Sequence, residues 1–363
     1  MKIGIDASRL KAEMTGVGRY TEGILTSLDR ELPGATFVLY ARRECSFVFP
    51  SDRWSVRCDL HPLFSRLPTP QWIHYRLASM AKSDGLDVFW AANTLMPRGL
   101  KTFAPCVTTV HDLIHLFVPE TLPPLTRLGY GCWFDADVQR ADKVVVISQG
   151  TAKRLVDRLG RRADGIAFPA VPVLPLDCEN AAETLSKLGV RLPFLLTVGT
   201  RAPRKNLVSA VAAVKLLKAR GKLLDYQLVM AGGEAWNRSN RSVERDDGAH
   251  WIKPLGHVSD GTLAALYSLA DAFVFPSLYE GYGMPVIEAR TLGCRVITTD
   301  SPELREAGGV GATYVAPTPE GIAAGLERAL AQPKPAPVKL DHDWHDAARV
   351  MARTFGQAVS AGR

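Results

Sequence analysis

Short apolar runs alternate along the chain with longer stretches whose apolar residues recur every three or four positions, the pattern of strands joined by helices in a parallel sheet. The pattern predicts strands near Lys2–Ile5, Thr36–Tyr40, Val88–Trp90, Val107–Val110 and Lys143–Ser148 in the first half. In the second half it predicts Phe194–Val198, Gln227–Ala231, Phe273–Phe275 and Arg295–Thr299. Val17, Tyr20, Ile24 and Leu28 keep helical spacing behind a glycine-rich start, and Trp344 to Ala358 reads as a last helix. Two doubly wound, Rossmann-like α/β domains follow. Phe168-Pro-Ala-Val-Pro-Val-Leu-Pro-Leu-Asp177 is too proline-rich for an element interior, which divides the chain into a domain at 1–168, a linker at 169–191, a domain at 192–340 and a terminal segment at 341–363.

A length of 363 residues suits two such domains, and 47% hydrophobic content excludes a largely disordered chain. Met1-Lys-Ile-Gly-Ile-Asp6 reads as a buried strand rather than a secretory signal, and no apolar run approaches the roughly 20 residues that span a bilayer. Cys45, Cys58, Cys106, Cys132, Cys178 and Cys294 are scattered without metal-ligand spacing, as expected of packing residues in a reducing cytosol. Of the net charge of +7, residues 1–168 hold most: 22 basic against 17 acidic groups, compared with 22 against 20 in the remainder. Without a dense basic block or a nucleic-acid module, the excess argues against nucleic acid and for an anionic membrane face or a phosphate-bearing substrate. Residues 62–82 interleave Phe64, Trp72, Ile73, Tyr75, Leu77 and Met80 with Arg66, His74, Arg76 and Lys82, so this segment either lies at an anionic bilayer or packs on the first sheet.

The chemistry concentrates in Phe273-Val-Phe-Pro-Ser-Leu-Tyr-Glu-Gly-Tyr-Gly-Met-Pro-Val-Ile-Glu-Ala289. A strand ends at Pro276, Gly281 and Gly283 admit close approach of a ligand, and Pro285 suits the first position of a helix that stops at Gly293. Glu280 then lies in the loop and Glu288 in the helix's first turn, leaning back toward the same ligand. Taken alone, the two glutamates also fit a solvated loop charge and a helix-dipole partner. Pro203-Arg-Lys-Asn206 follows another strand and brings Arg204 and Lys205 to the C-terminal edge of the second sheet, where two cations can neutralise a departing diphosphate. Val110-His-Asp-Leu113 places His111 at a strand end, with His115 a weaker candidate on the same loop. Thr15-Gly-Val-Gly-Arg-Tyr-Thr21 is no dinucleotide fingerprint: Gly16 comes too long after its strand and Thr21 replaces the third glycine, so Arg42-Arg43 does not make a nicotinamide-cofactor site. Asp135-Ala-Asp137 sits in a helical stretch, and no metal site is expected.

These motifs, in this order, resemble the family 4 retaining glycosyltransferases with the GT-B fold, over nearly the whole chain from Gly16 to the Trp344 helix. The resemblance implies that Glu280 contacts the donor sugar, Glu288 the ribose, and Arg204 and Lys205 the donor phosphates. It places His111 beside the sugar hydroxyls, across a cleft from Glu280, and the Gly16–Gly18 loop at that cleft. Gly281, Tyr282, Gly283 and Met284 complete the donor site, with backbone around Gly256 and Val258 at the base. The terminal helix would cross back onto the first domain. Arg201 departs from the apolar or acidic residue expected there. The wording of the motifs is closest to bacterial mannosyltransferases of O-antigen or exopolysaccharide synthesis. That implies GDP-mannose as donor, no cofactor or metal, a lipid-diphosphate-linked glycan as acceptor, and a cytoplasmic location, peripheral on the inner face of the membrane. A UDP-sugar transferase of the same fold and a noncatalytic sugar-nucleotide-binding subunit are the alternatives.

Overall fold

The computed structural model describes residues 1–12, 14–171, 174–175, 177, 179–233 and 250–361. Pro172, Val173 and Leu176 of the proline-rich stretch, and Cys178 after it, lie outside the described residues. The chain forms two compact units, one of residues 1–170 with 342–363 and the other of 171–341.

The first unit is built on β1 (Lys2–Asp6), β2 (Thr36–Ala41), β3 (Trp54–Cys58), β4 (Val88–Ala91), β5 (Cys106–Val110), β6 (Lys143–Val146) and β7 (Gly165–Ile166). The second is built on β8 (Phe194–Val198), β9 (Gln227–Ala231), β10 (Ile252–Gly256), β11 (Ala272–Phe275), β12 (Val296–Thr299) and β13 (Thr313–Val315). All neighbours pair in parallel, in the orders β3-β2-β1-β4-β5-β6-β7 and β10-β9-β8-β11-β12-β13. Each order reverses once, between β1 and β4 and between β8 and β11. At such a switch point the connections leave in opposite directions and open a crevice beyond the strands' C-terminal ends.

The nine predicted strands are present, and among the described residues the sequence pattern missed four: β3, β7, β10 and β13. These are the outermost strands of the two sheets. An edge strand buries less, so β3 is exposed along most of its length and β10 accommodates Pro254, whose missing N–H would break an inner ladder. The sixth strand stops at Val146 rather than Ser148, because Ser148 turns out of the sheet to cap the Gln149–Leu159 helix through Thr151 N.

The Trp344–Ala361 helix belongs to the first unit. Asp343 accepts from the amides of His345 and Asp346 while Asp346 accepts from Asp343 N at 2.9 Å, a reciprocal cap that starts it. It buries Ala347, Ala348, Met351, Phe355 and Ala358. The Trp344 indole lies so close to Gly23 that a Cβ there would stand 2.4 Å from the ring, so glycine is required at that crossing.

Residues 62–82 do not form a surface helix. Trp72, Ile73 and Leu77 are fully buried in the first core, the Trp72 indole donates to Asp59 at 2.8 Å, and Arg76 pairs with the same carboxylate at 3.3 Å. Burying a tryptophan removes about 200 Å² from water, worth about 5 kcal/mol before entropy, and the core captures that gain here. Exposed apolar surface remains at Leu60, Leu63 and Tyr75 and, on the Pro124–Arg140 helix, at Leu125 and Leu128. Among the described residues no helix is long and apolar enough to cross a membrane.

Candidate active site

The second sheet's switch point carries the charged groups. Beyond β8 the chain turns at Gly199, and beyond β9 at Gly232, both at φ +131°. A Cβ on Gly232 would lie 2.2 Å from the Gly199 carbonyl oxygen, so the two turns touch backbone to backbone. A single turn at Pro203–Lys205 follows, then Asn206 at φ +54° opens the Leu207–Ala219 helix with its amide on the Pro317 carbonyl at 2.8 Å. Leu278 N donates to the Arg204 carbonyl at 2.7 Å, fastening the loop after β8 to the loop after β11.

That fastening brings three charges together. Arg204 donates to Glu280 Oε1 at 2.5 Å and to the Tyr279 carbonyl at 3.3 Å, and Lys205 Nζ reaches the same Oε1 at 2.7 Å. The ammonium also sits 4.3 Å from the Phe275 ring centroid. Lys205 is only 7% exposed, and burial pulls its pKa down to about 8, with Glu280 opposing that shift. Burial pushes the Glu280 carboxyl up, but Arg204 and Lys205 outweigh it and hold the group below its ordinary value. At neutral pH two cations share one oxygen of Glu280, and the Glu288 carboxyl acts on Lys205 from further away. Two cations fixed side by side in this way can stabilise negative charge that grows on a group placed against them.

Glu288 is buried, and Tyr267 donates to its Oε2 at 2.9 Å. It is not in the first helical turn as expected. Gly283, at φ +108°, caps a helix that starts at Met284, one residue before Pro285, so Glu288 falls one position beyond that turn. Gly281 and Tyr282 are buried beside it, and burial raises the Tyr282 phenol pKa. A Cβ on Gly283 would meet Leu304 at 2.8 Å. Gly256, at φ +70°, accepts from Gly232 N at 2.7 Å, and Val258 lies half-buried in the following loop.

His111 and the Gly16–Gly18 loop stand in the first unit. His111 Nε2 lies 2.7 Å from the Ala92 carbonyl and its ring packs edge-on against Tyr20. Burial lowers its pKa to about 4, so near neutrality it is an uncharged imidazole with Nε2–H donating and Nδ1 an acceptor. Gly16 is exposed, whereas Gly18 is buried against the Arg9 carbonyl oxygen, 2.6 Å from where a Cβ would be. His115 is a core residue instead, buried against Phe134 at 4.1 Å between ring centroids, with both nitrogens unpartnered among the described residues. Asp135 is exposed on its helix while Asp137 is buried and accepts from Met96 N at 3.1 Å. Among the described residues no cluster of three or more His, Cys, Asp or Glu is placed to hold a metal ion.

The sequence reading passed over several polar groups at the two switch points. Thr299 Oγ1 in the second unit and Asn93 Nδ2 in the first are buried without a hydrogen-bond partner among the described residues, while the Ser277 side chain acts on Glu280 and the Ser8 side chain on Asp6, each working to lower the carboxyl's pKa. Each is the last residue of a strand that was read correctly or lies two residues beyond one, so the signal available was its position at a strand's C-terminal end.

Two Rossmann-like parallel-sheet units with charged loops at a switch point define the GT-B class of glycosyltransferases, and the comparisons agree. Residues 14–167 match the model of Glycosyltransferase Family 4, and residues 186–351 that of Glycosyl transferases group 1. Together the two take in almost the whole chain, which belongs to the family 4 glycosyltransferases. It is 27% identical over 331 residues to O-antigen chain mannosyltransferase B of Escherichia coli, covering 84% of each protein. Its fold is similar to that of sucrose-phosphate synthase from Thermosynechococcus elongatus, with a TM-score of 0.74 at 18% identity over 99% of this chain and 94% of that one. It is also similar to WaaG, a glycosyltransferase involved in lipopolysaccharide biosynthesis, with a TM-score of 0.69 at 18% identity over 99% and 98%.

Proposed function

We propose that this glycosyltransferase is a retaining, metal-independent mannosyltransferase that moves mannose from GDP-mannose to a lipid-diphosphate-linked oligosaccharide in bacterial surface polysaccharide synthesis. The observation that carries the reading is the pair of cations on one oxygen of Glu280. The likeness to an O-antigen mannosyltransferase supports the choice of sugar. As the bond from the anomeric carbon to the diphosphate oxygen breaks, its electron pair goes to the diphosphate, and Arg204 and Lys205 stabilise the growing charge. Glu280 orients the sugar, whose anomeric carbon takes on oxocarbenium character, and Glu288 binds the ribose. The acceptor hydroxyl attacks from the face the diphosphate leaves, and its proton passes to a phosphate oxygen of the leaving group. Neutral His111 accepts a hydrogen bond from a sugar hydroxyl at Nδ1. The exposed Leu60, Leu63 and Tyr75, with Arg66 among them, support peripheral contact with the anionic membrane that would carry the acceptor.

A thermal-shift series with GDP, UDP, ADP and nicotinamide dinucleotides tests the donor, since a ligand of the native state alone raises its apparent stability. GDP should give the largest shift. A larger shift with UDP would move the reading to a UDP-sugar transferase, and nucleotide binding without transfer from any sugar nucleotide would make the protein a binding subunit.

A further inference from the structure

We propose that Cys45 and Cys58 form a reversible redox pair. A low-molecular-weight disulfide joins them and a thiol parts them, and the joined form staples the outermost strand of the first sheet to the chain leaving β2.

Both residues are free thiols in the structure, and the fold carries them to one face of one sheet edge. Successive side chains of a strand point to opposite faces, so Trp54, Val56 and Cys58 of β3 share a face. Parallel pairing sets Phe37 beside Trp54 and Ala41 beside Cys58, and the Phe37 and Trp54 rings stack at 4.0 Å between centroids, which marks the face they occupy. Beyond β2 the chain reverses. Arg43 takes the left-handed φ of +76°, and Phe47 comes back over that face to meet the Trp54 ring at 5.3 Å. Cys45, two residues before Phe47 on this returning segment, therefore lies toward the Cys58 end of β3.

The electrostatics agree with that placement. Burial pushes the Cys45 thiol up, the Phe47 amide opposes the rise, and Cys58 acts in the same direction as burial, so a charge on one thiol is felt by the other. Cys106 and Cys294 are sealed in the interior and Cys132 is exposed on a helix, whereas Cys45 and Cys58 are both half-buried, open to a small reagent yet held near one another.

The joining takes two exchanges. The Cys58 thiolate, on the edge strand, attacks one sulfur of the incoming disulfide, whose S–S bond breaks and releases one thiolate to take up a proton. The Cys45 thiolate then attacks the Cys58 sulfur of the mixed disulfide and expels the second thiol. The protein loses two hydrogens and two electrons, and the incoming disulfide gains them. Burial raises both thiols, so the exchange accelerates as pH rises. The bridge closes a short loop around Phe47 and Trp54 and removes open states in which β3 parts from β2.

The test is incubation of the full-length protein with oxidised glutathione, followed by alkylation, digestion without reduction and mass spectrometry. The Cys45 and Cys58 peptides should appear joined and lighter by two hydrogens, while Cys132 carries glutathione and so proves that the oxidant reached the protein. Joining should run about tenfold faster one pH unit higher, as the thiolate fraction rises. Cys45→Ser should leave glutathione on Cys58 and no joined peptide. In the joined protein the Asp59 amide, which donates to the Ala41 carbonyl at 2.9 Å, should exchange with deuterium about tenfold more slowly, and dithiothreitol should restore both the thiols and the exchange. Glutathione accumulating on Cys45 or Cys58 of the unaltered protein, both thiols staying reduced while Cys132 reacts, or an Asp59 exchange rate unmoved by joining would each overturn the proposal.

Discussion

The two sheets reverse their strand order in the same way, yet their switch points are finished differently. In the second unit the charges satisfy one another: Arg204 and Lys205 share Glu280, and a backbone bond locks the loops that hold them. At the first unit's switch point Arg9, Lys11, Arg42 and Arg43 have no carboxylate within ion-pair distance among the described residues, and Glu44 acts on Lys11 only from further away. The contrast teaches that one topology prepares two kinds of crevice. A site that must stabilise charge appearing during a reaction benefits from groups already fixed in place, since they need not reorganise as the charge develops.

The contrast breaks first on the cations. Arg204→Ala or Lys205→Ala should lower kcat/KM for transfer about a hundredfold, the scale of about 3 kcal/mol of lost transition-state stabilisation. Asp135→Ala, at an exposed position on a helix, should leave the rate unchanged. Steady-state kinetics on folded variants decide this, and the opposite ranking would remove the active-site assignment.

Proton release from Lys205 gives the next largest effect. Because its folded pKa is lowered to about 8, kcat/KM should fall about tenfold for each pH unit above that value as the ammonium is lost. Stability should not follow. Between about 8 and the ordinary value of 10.5 the unfolded chain binds more protons at this residue than the native one, so this group makes folding more favourable as pH rises. Lys205→Arg, which stays charged, should move the alkaline limb out of range; an unmoved limb would assign it to another group.

Gly232→Ala tests how tightly the second switch point is built. Its φ of +131° and the 2.2 Å approach to the Gly199 carbonyl should make the substitution destabilising by about 3 kcal/mol in chemical denaturation. A neutral result would mean the two turns are free to separate. The smallest effects concern surfaces and solvent. Arg66→Glu with Lys82→Glu, both exposed, should reduce binding to anionic vesicles a few-fold at low salt and leave neutral vesicles unaffected. Chelation by EDTA should leave transfer unchanged, and activity abolished by EDTA and restored by magnesium or manganese would require a metal-dependent mechanism.

The inner strands and the charged loop were legible because each leaves a local record: an unbroken apolar run, or Arg204-Lys205 and Glu280 directly after one. β3, β7, β10 and β13 were not, since Trp54–Cys58, Gly165–Ile166, Ile252–Gly256 and Thr313–Val315 sit at edges where no continuous apolar run is needed. Asp6, Ser8 and Asn93 escaped for another reason. Single polar residues after strands are common, and these become distinctive only once parallel pairing sets β1 beside β4. The fate of Trp72 was likewise undecidable from residues 62–82, because the Asp59 that receives its indole lies outside the segment.

The return of the Trp344–Ala361 helix to the first unit also orders events in time. A ribosome that has delivered residues 1–341 has made every strand of both sheets but not the helix that covers Gly23 and packs Phe355 near Trp90. Residues 1–170 leave the tunnel first and finish last. Until residues 344–361 have emerged, their surface keeps an open apolar furrow, the kind of nascent-chain feature that chaperones bind. A premature stop codon or a frameshift ahead of Trp344 would therefore strike the unit of residues 1–170, encoded far upstream of the lesion.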